Sequence, residues 1–265
     1  NFNTDIIFNE ICRLDGTIEY LFEENNSFTW KIPLPFGVTS TRFMKLLPLM
    51  IEDISLPKKL KNYQKEGVNW LKNGDERILA DDMGLGKSLQ VIKSILDLIK
   101  DQKINNFLIV CPSTLVENWR REFIKWAPYL SVGYFSSKNL KNKKQIFSAI
   151  KENNGIVINY EQLGNLNKLL DNNFFDLVVA DESHKLRNIA SKTHNEFCKI
   201  GANKRWLITG TPFERNRDDL VGILKCLNKQ NVSLFNSKTS DLFLRSGLKD
   251  RILRRMKTDV LSELP

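Results

Sequence analysis

Five short apolar runs, set between segments of helical periodicity, constrain this chain's fold more than any other feature. They are RILA (77–80), FLIVC (107–111), GIVINY (155–160), FFDLVVA (174–180) and RWLIT (205–209). Runs this short and this rich in Val and Ile suit strands buried on both faces, as in a parallel sheet. Between them, KSLQVIKSILDLIK sets Leu89, Ile92, Ile95, Leu96 and Ile99 on one stripe, and TLVENWRREFIKW does the same with Leu115, Trp119, Phe123 and Trp126. The aromatics of the second stripe read as core rather than as ligand contacts. Strand and helix in alternation predict a doubly wound α/β domain with a mostly parallel sheet, in which ligands sit at the carboxyl ends of the strands.

Chemistry collects at those ends. LADDMGLGKSLQ (79–90) follows the first run and opens a helical segment. Gly84 and Gly86 let backbone wrap closely around phosphate, Lys87 adds a point charge, and Ser88 adds a hydroxyl for a metal ion. The full pattern G-x-x-x-x-G-K-[ST] is incomplete, because its first glycine is replaced by Asp81. A plain strand-to-helix turn is the competing reading. The context, strand before and helix after, favours an anion at the helix N-terminus.

VVADESH then places Asp181, Glu182 and His184 directly after a buried strand. Carboxylates there cost energy unless a cation meets them. A magnesium ion on phosphates would do so, with Asp181 reaching the metal and Glu182 orienting or deprotonating a water. The alternative is that the acidic pair merely caps the next helix. LITGTPFERN (207–216) supplies Thr209, Gly210 and Thr211 after the last strand, either as an ordinary turn or as a polar link from this site to another surface.

Charge and composition set the outer bounds. The net charge of +9 fits a polyanionic partner such as nucleic acid, or a lysine-rich solvated surface. The basic stretch SSKNLKNKK (136–144) reads as solvated surface. No apolar run approaches the ~18 residues of a membrane span. The four cysteines (12, 111, 198 and 226) form no C-x-x-C pair, which argues against a zinc site or disulfide framework and for a reducing interior. The two histidines, His184 and His194, are too few and too poorly spaced for a metal cluster of their own. Residues 1–56 stand apart as a small accessory region, with TIEYLF and SFTWKIP alternating as a hairpin does and PLPFG punctuating them. The chain opens at Asn1 without a methionine or secretory signal, which reads as a piece of a longer polypeptide.

Taken in order, these motifs resemble the Swi/Snf-type ATPases, the chromatin-remodelling branch of the superfamily-two helicases. The resemblance runs from about residue 56 to 265 through LKNYQKEGVNWL (60–71), LADDMGLGKSLQ, LIVCPSTLVENWRREF (108–123), VINYEQL (157–163), DESHKLRN (181–188), LITGTPFERN and LRRMKTDVLSELP (253–265). The family's phosphate loop also lacks the first glycine. Departures are small: Asp82 replaces a glutamate, Ser183 holds the small-residue slot of the DEAH-like box, and PFERN stands for the usual PIQNN.

The resemblance implies a RecA-like phosphate-loop lobe over 57–265, with ATP and Mg2+ as cofactors and double-stranded DNA as partner through its backbone. Gln64, Asp82, Met83, Gly84, Leu85, Gly86, Lys87 and Ser88 are then the nucleotide contacts. Ser88 and Asp181 hold Mg2+, and Lys87, Asp181 and Glu182 carry catalysis. Thr209 and Thr211 couple hydrolysis to DNA, which Ser113, Thr114, Tyr160, Lys185, Arg187 and Asn188 contact. A second RecA-like lobe of the same parent chain supplies the arginine fingers, so this lobe alone binds ATP weakly and turns it over poorly. The motor lobe of a strand-separating helicase or restriction enzyme is the runner-up, and a non-hydrolysing nucleic-acid scaffold the third reading. No membrane is implied. The expected compartment is intracellular: cytoplasm or nucleoid in a bacterium, nucleus in a eukaryote.

Overall fold

The computed structural model describes residues 19–22, 28–31, 60–128, 130–135, 150, 153–170, 175–210, 217–227 and 240–263. By contacts the chain divides into two compact units, 1–58 and 59–265. In the first, β1 (Glu19–Phe22) and β2 (Phe28–Lys31) pair antiparallel with Glu19 opposite Lys31. This is the hairpin that the alternating pattern predicts. SSKNLKNKK, Thr211 and PFERN lie outside the described residues.

The second unit runs α1 (Asn62–Lys72), β3 (Glu76–Leu79), α2 (Lys87–Lys100), β4 (Phe107–Cys111), α3 (Val116–Trp126), β5 (Val132–Phe135) and β6 (Gly155–Asn159). It continues through α4 (Leu163–Asn167), β7 (Phe175–Asp181), α5 (Lys192–Lys199), β8 (Ala202–Ile208), α6 (Arg217–Leu227), α7 (Asp241–Lys249) and β9 (Ile252–Leu253). Seven strands form one sheet in the order β5-β6-β4-β7-β8-β3-β9, every neighbouring pair parallel. All five sequence-predicted strands are present. Two more, β5 and β9, lie at the edges, where partial burial leaves no apolar run to read.

The centre of the sheet is dry. Every residue of β4 and β6 is buried, and Leu177 to Ala180 of β7 are fully buried. Burying a Val, Leu or Ile side chain is worth roughly 1.5–3 kcal/mol each, so these strands anchor the core. Helix α2 closes against α1 at a very short distance. A Cβ on Gly67 would lie 1.8 Å from the Gln90 side-chain oxygen and 2.8 Å from Arg255 Nη2, so a larger residue would have to displace those two side chains.

This topology gathers the motifs. The turns after β3, β4, β6, β7, β8 and β9 all leave the same, carboxyl edge of a parallel sheet, where ligands of open α/β folds bind. Strands β3 and β7 flank β8, so the phosphate loop and the acidic pair face each other across one strand, about 10 Å at 4.8 Å per step.

Candidate nucleotide site at the strand ends

The loop between β3 and α2 is built to expose backbone N–H groups. Gly84 and Gly86 take positive φ (+89° and +73°), the left-handed region that favours glycine. Gly86 is the N-cap of α2, which has no capping side chain and no acidic residue in its first turn. The donors of that turn therefore point at an anion site with the helix dipole behind them. Lys87 Nζ meanwhile folds back to donate to the carbonyls of Asp81 (2.8 Å) and Asp82 (3.1 Å). Burial pulls its pKa below the ordinary lysine value, against the opposing pull of Asp81, Asp181, Glu182 and Asp82.

Across β8, Asp181 ends β7 and accepts two hydrogen bonds, from Trp119 Nε1 to Oδ2 (2.9 Å) and from the Glu182 backbone N–H to Oδ1 (2.9 Å). Burial, reinforced by Glu182, nonetheless pushes its pKa up to about 6, with those two donors and Lys87 pulling the other way. Glu182 sits at φ +52°, a strained position for a residue with a Cβ. It heads the 3-10 turn Ser183–Leu186 without capping it through its side chain. The capping alternative therefore fails. His184 Nδ1 approaches Glu182 Oε2 to 3.1 Å.

Between the two halves lies Gly210. A Cβ there would come within 2.9 Å of Met83 Cγ and 3.5 Å of Lys87 Nζ, so the backbone after β8 presses directly on the phosphate loop. Thr209 is buried, and its N–H bonds Leu79 O at 3.1 Å. The segment after β8 thus lies against the phosphate loop.

Several expectations change in detail. Leu85 turns its side chain inward against Tyr63 and Val260, which leaves only its main chain for a ligand. Gln64 is buried, with Oε1 accepting from Lys61 N (3.1 Å) and Nε2 donating to Leu85 O (3.4 Å), so its amide braces the loop. Asp82 Oδ2 accepts from Lys257 N (3.1 Å), while Met83 is exposed and Ser88 half-buried. Tyr160 is the one expected DNA contact that lies inside. It is only 3% exposed and its hydroxyl donates to Asp181 O (2.7 Å), which makes it a prop beneath the acidic turn rather than a surface group. Ser113, Thr114, Lys185, Arg187 and Asn188 are exposed at the same edge of the sheet.

Two partners were not legible. Trp119 is core on the α3 stripe, as its spacing predicts, yet its indole N–H reaches the Asp181 carboxylate; helical periodicity reports the ring's burial and is silent on its edge. Arg255, after β9, forms a buried pair with Asp81 (2.6 Å), the residue standing where a phosphate loop usually has its first glycine. The spacing argument against a His/Cys cluster also fails, because the fold brings His194, Cys198 and Cys226 together.

The residues fit ATP with Mg2+. Two positive-φ glycines form a cradle that a Cβ would fill, a cation stands beside it, and a carboxyl with a raised pKa has no ion pair within 4 Å among the described residues. The fold and this edge define an α/β phosphate-loop nucleotide-binding domain.

The family follows from comparison: residues 63–265 match the SNF2-related domain, and the chain belongs to that family. It is 34% identical over 261 residues to the ATP-dependent helicase FUN30 of Saccharomyces cerevisiae, covering 84% of this chain and 22% of that protein. It is 33% identical over 240 residues to the human SWI/SNF-related matrix-associated actin-dependent regulator of chromatin subfamily A containing DEAD/H box 1, covering 78% and 23%. The Sulfolobus solfataricus SWI2/SNF2 ATPase core in complex with dsDNA superposes with a TM-score of 0.66 at 27% identity, over 78% of this chain and 47% of that one. The chain thus spans less than a quarter of the length of these curated relatives. Among the described residues no helix is long and apolar enough to cross a membrane.

Proposed function

We propose that this chain is the ATP-binding lobe of an intracellular, DNA-dependent motor that hydrolyses ATP while tracking along duplex DNA, remodelling or displacing the proteins bound there. The observation that carries the reading is Gly210 after β8, the strand between those that lead to the phosphate loop and the acidic turn, lying against the phosphate loop with Lys87 Nζ 3.5 Å from its would-be Cβ. Hydrolysis needs those three segments to act together.

In this reading the first-turn N–H groups of α2 and the Lys87 ammonium hold the β- and γ-phosphates, Lys87 exchanging its loop carbonyls for phosphate oxygens. Ser88 and Asp181 would hold Mg2+, which supplies charge neutralisation on the phosphates when bound. Glu182 orients the attacking water and accepts its proton. Trp119 and Tyr160 fix Asp181 from either side, one through its carboxylate and the other through its carbonyl. Thr209, with Thr211, transmits the state of the site to a DNA-facing edge. There Ser113, Thr114, Lys185, Arg187 and Asn188 meet phosphate oxygens of one strand without reading sequence. A second lobe of the same parent chain completes the site from outside and supplies arginine to the transition state, which in related systems is worth roughly 10³–10⁵ in rate. The lobe alone is therefore a weak, slow ATPase. Residues 57–265 make up this lobe and residues 1–56 an accessory region. Its place is the nucleus in a eukaryote and the cytoplasm or nucleoid in a bacterium.

The test is a pair of variants assayed with radiolabelled ATP. Glu182→Gln retains Mg·ATP binding and loses turnover, whereas Lys87→Ala loses binding. Unchanged turnover in Glu182→Gln contradicts hydrolysis at this site, and strand displacement from an annealed oligonucleotide replaces the translocase reading with that of a strand-separating helicase.

A further inference from the structure

Behind the acidic turn, α5 and α6 bring together three groups that the nucleotide site does not use. His194 and Cys198 lie four residues apart on one face of α5, and Cys226 comes from α6. One ring nitrogen of His194 and the two sulfurs lie within 4.8 Å of one another. Cys198 Sγ is 3.7 Å from Cys226 Sγ and 3.5 Å from His194 Nε2. A tetrahedral ion with bonds of about 2.3 Å to sulfur and about 2.0–2.1 Å to nitrogen separates two sulfurs by about 3.8 Å, and sulfur from nitrogen by about 3.6 Å. Both separations match those edges.

The surroundings are also those of a metal site. His194 Nδ1 lies 2.7 Å from the Leu186 carbonyl, the outer hydrogen bond that fixes the tautomer of ligating histidines and leaves Nε2 free to bind. Cys226 Sγ lies 3.3 Å from Nδ1 of the same ring, so an ion on Nε2 requires the Cys226 side chain to swing toward that nitrogen. Cys226 is buried, whereas Cys198 is half-buried, which gives an ion a way in.

We propose that His194, Cys198 and Cys226 form a binding site for a soft divalent cation of the zinc class, clamping α5 to α6. The clamp would grip the Leu186–Arg187 segment on both sides, since Leu186 O meets His194 and a Cβ on Gly222 of α6 would lie 2.0 Å from Arg187 O. A bound ion would therefore stiffen the backbone that leads from Glu182 to Arg187 and Asn188. Its presence does not depend on the nucleotide reading.

Titration of the reduced, metal-free protein with Co2+ tests this. One equivalent per chain should give the visible bands of a tetrahedral, sulfur-ligated cobalt ion, with Zn2+ displacing it. Cys198→Ser and Cys226→Ser should each abolish the bands, and Cys12→Ser should leave them intact. On the unaltered protein, one equivalent of Zn2+ should slow iodoacetamide alkylation of Cys198 about tenfold or more, because the thiolate is the nucleophile and the ligand alike; Mg2+ should not. The proposal is overturned by the absence of stoichiometric cobalt bands, by bands that survive both serine variants, or by alkylation indifferent to Zn2+.

Discussion

Arg255 grips Asp81 with both prongs of its guanidinium, Nε to Oδ1 at 3.0 Å and Nη2 to Oδ2 at 2.6 Å, across 174 residues of sequence. Asp81 is fully buried, and Gln90 joins the pair, donating to Asp81 (3.1 Å) and accepting from Arg255 (2.8 Å). The start of the phosphate loop is therefore tied to the segment after β9. Removing one partner leaves a buried charge alone, so Arg255→Met should cost about 3–5 kcal/mol in urea unfolding. The double variant Asp81→Asn, Arg255→Met should recover part of that loss. A single-variant cost under about 1 kcal/mol would show that the pair is not structural.

Asp181 predicts a pH dependence of nucleotide binding. Its folded pKa, about 6, lies above the ordinary 3.8. The carboxyl thus favours the fold most below its unfolded value, and that contribution is lost as pH rises through 6, leaving an ionised group that a cation can claim. Mg2+ needs the ionised form, so Mg·ATP affinity should rise about tenfold from pH 5 to pH 7 and then level off. Isothermal titration of Asp181→Asn, which should lack this component, separates it from the titration of ATP itself. Identical pH profiles for the two proteins would contradict the assignment.

Trp119→Phe keeps a ring packed on Phe123, 6.0 Å away between centroids, but deletes the N–H that pulls the Asp181 pKa down. The midpoint of the binding profile should move to higher pH, while unfolding stability falls by only about 1 kcal/mol. An unmoved midpoint would mean that the indole merely fills space.

Gly222 faces the Arg187 carbonyl so closely that a Cβ would sit 2.0 Å from it, and backbone on both sides leaves nothing to yield cheaply. Gly222→Ala should cost about 1–3 kcal/mol and weaken duplex binding by displacing Arg187 and Asn188. Fluorescence anisotropy on a labelled duplex, together with thermal unfolding, checks both halves. Full stability with full DNA affinity would contradict the packing.

What the sequence made legible follows from where period and burial agree. Strands such as Phe107–Cys111 are wholly buried, so each advertises itself as an apolar run, and the glycines of the phosphate loop mark a backbone conformation that few other residues adopt. The edge strands β5 and β9 are half-buried and carry no such run. Asp81, read as a missing glycine, is a buried anchor because its partner lies at the far end of the chain. His194, Cys198 and Cys226 were separated by spacing and joined by the packing of two helices. Tyr160 stands among the DNA contacts that the family resemblance implies, and only burial reveals that it points under the site. Pairs that close over 28 to 174 residues leave no periodic trace in one sequence.

The most direct test of the account is steady-state ATP hydrolysis by the protein carrying both lobes, measured without DNA, with single strands and with duplex, alongside Glu182→Gln. The account predicts strong stimulation by duplex, little by single strands, and loss of turnover in the variant. Hydrolysis that is indifferent to duplex, or that persists in Glu182→Gln, would contradict it.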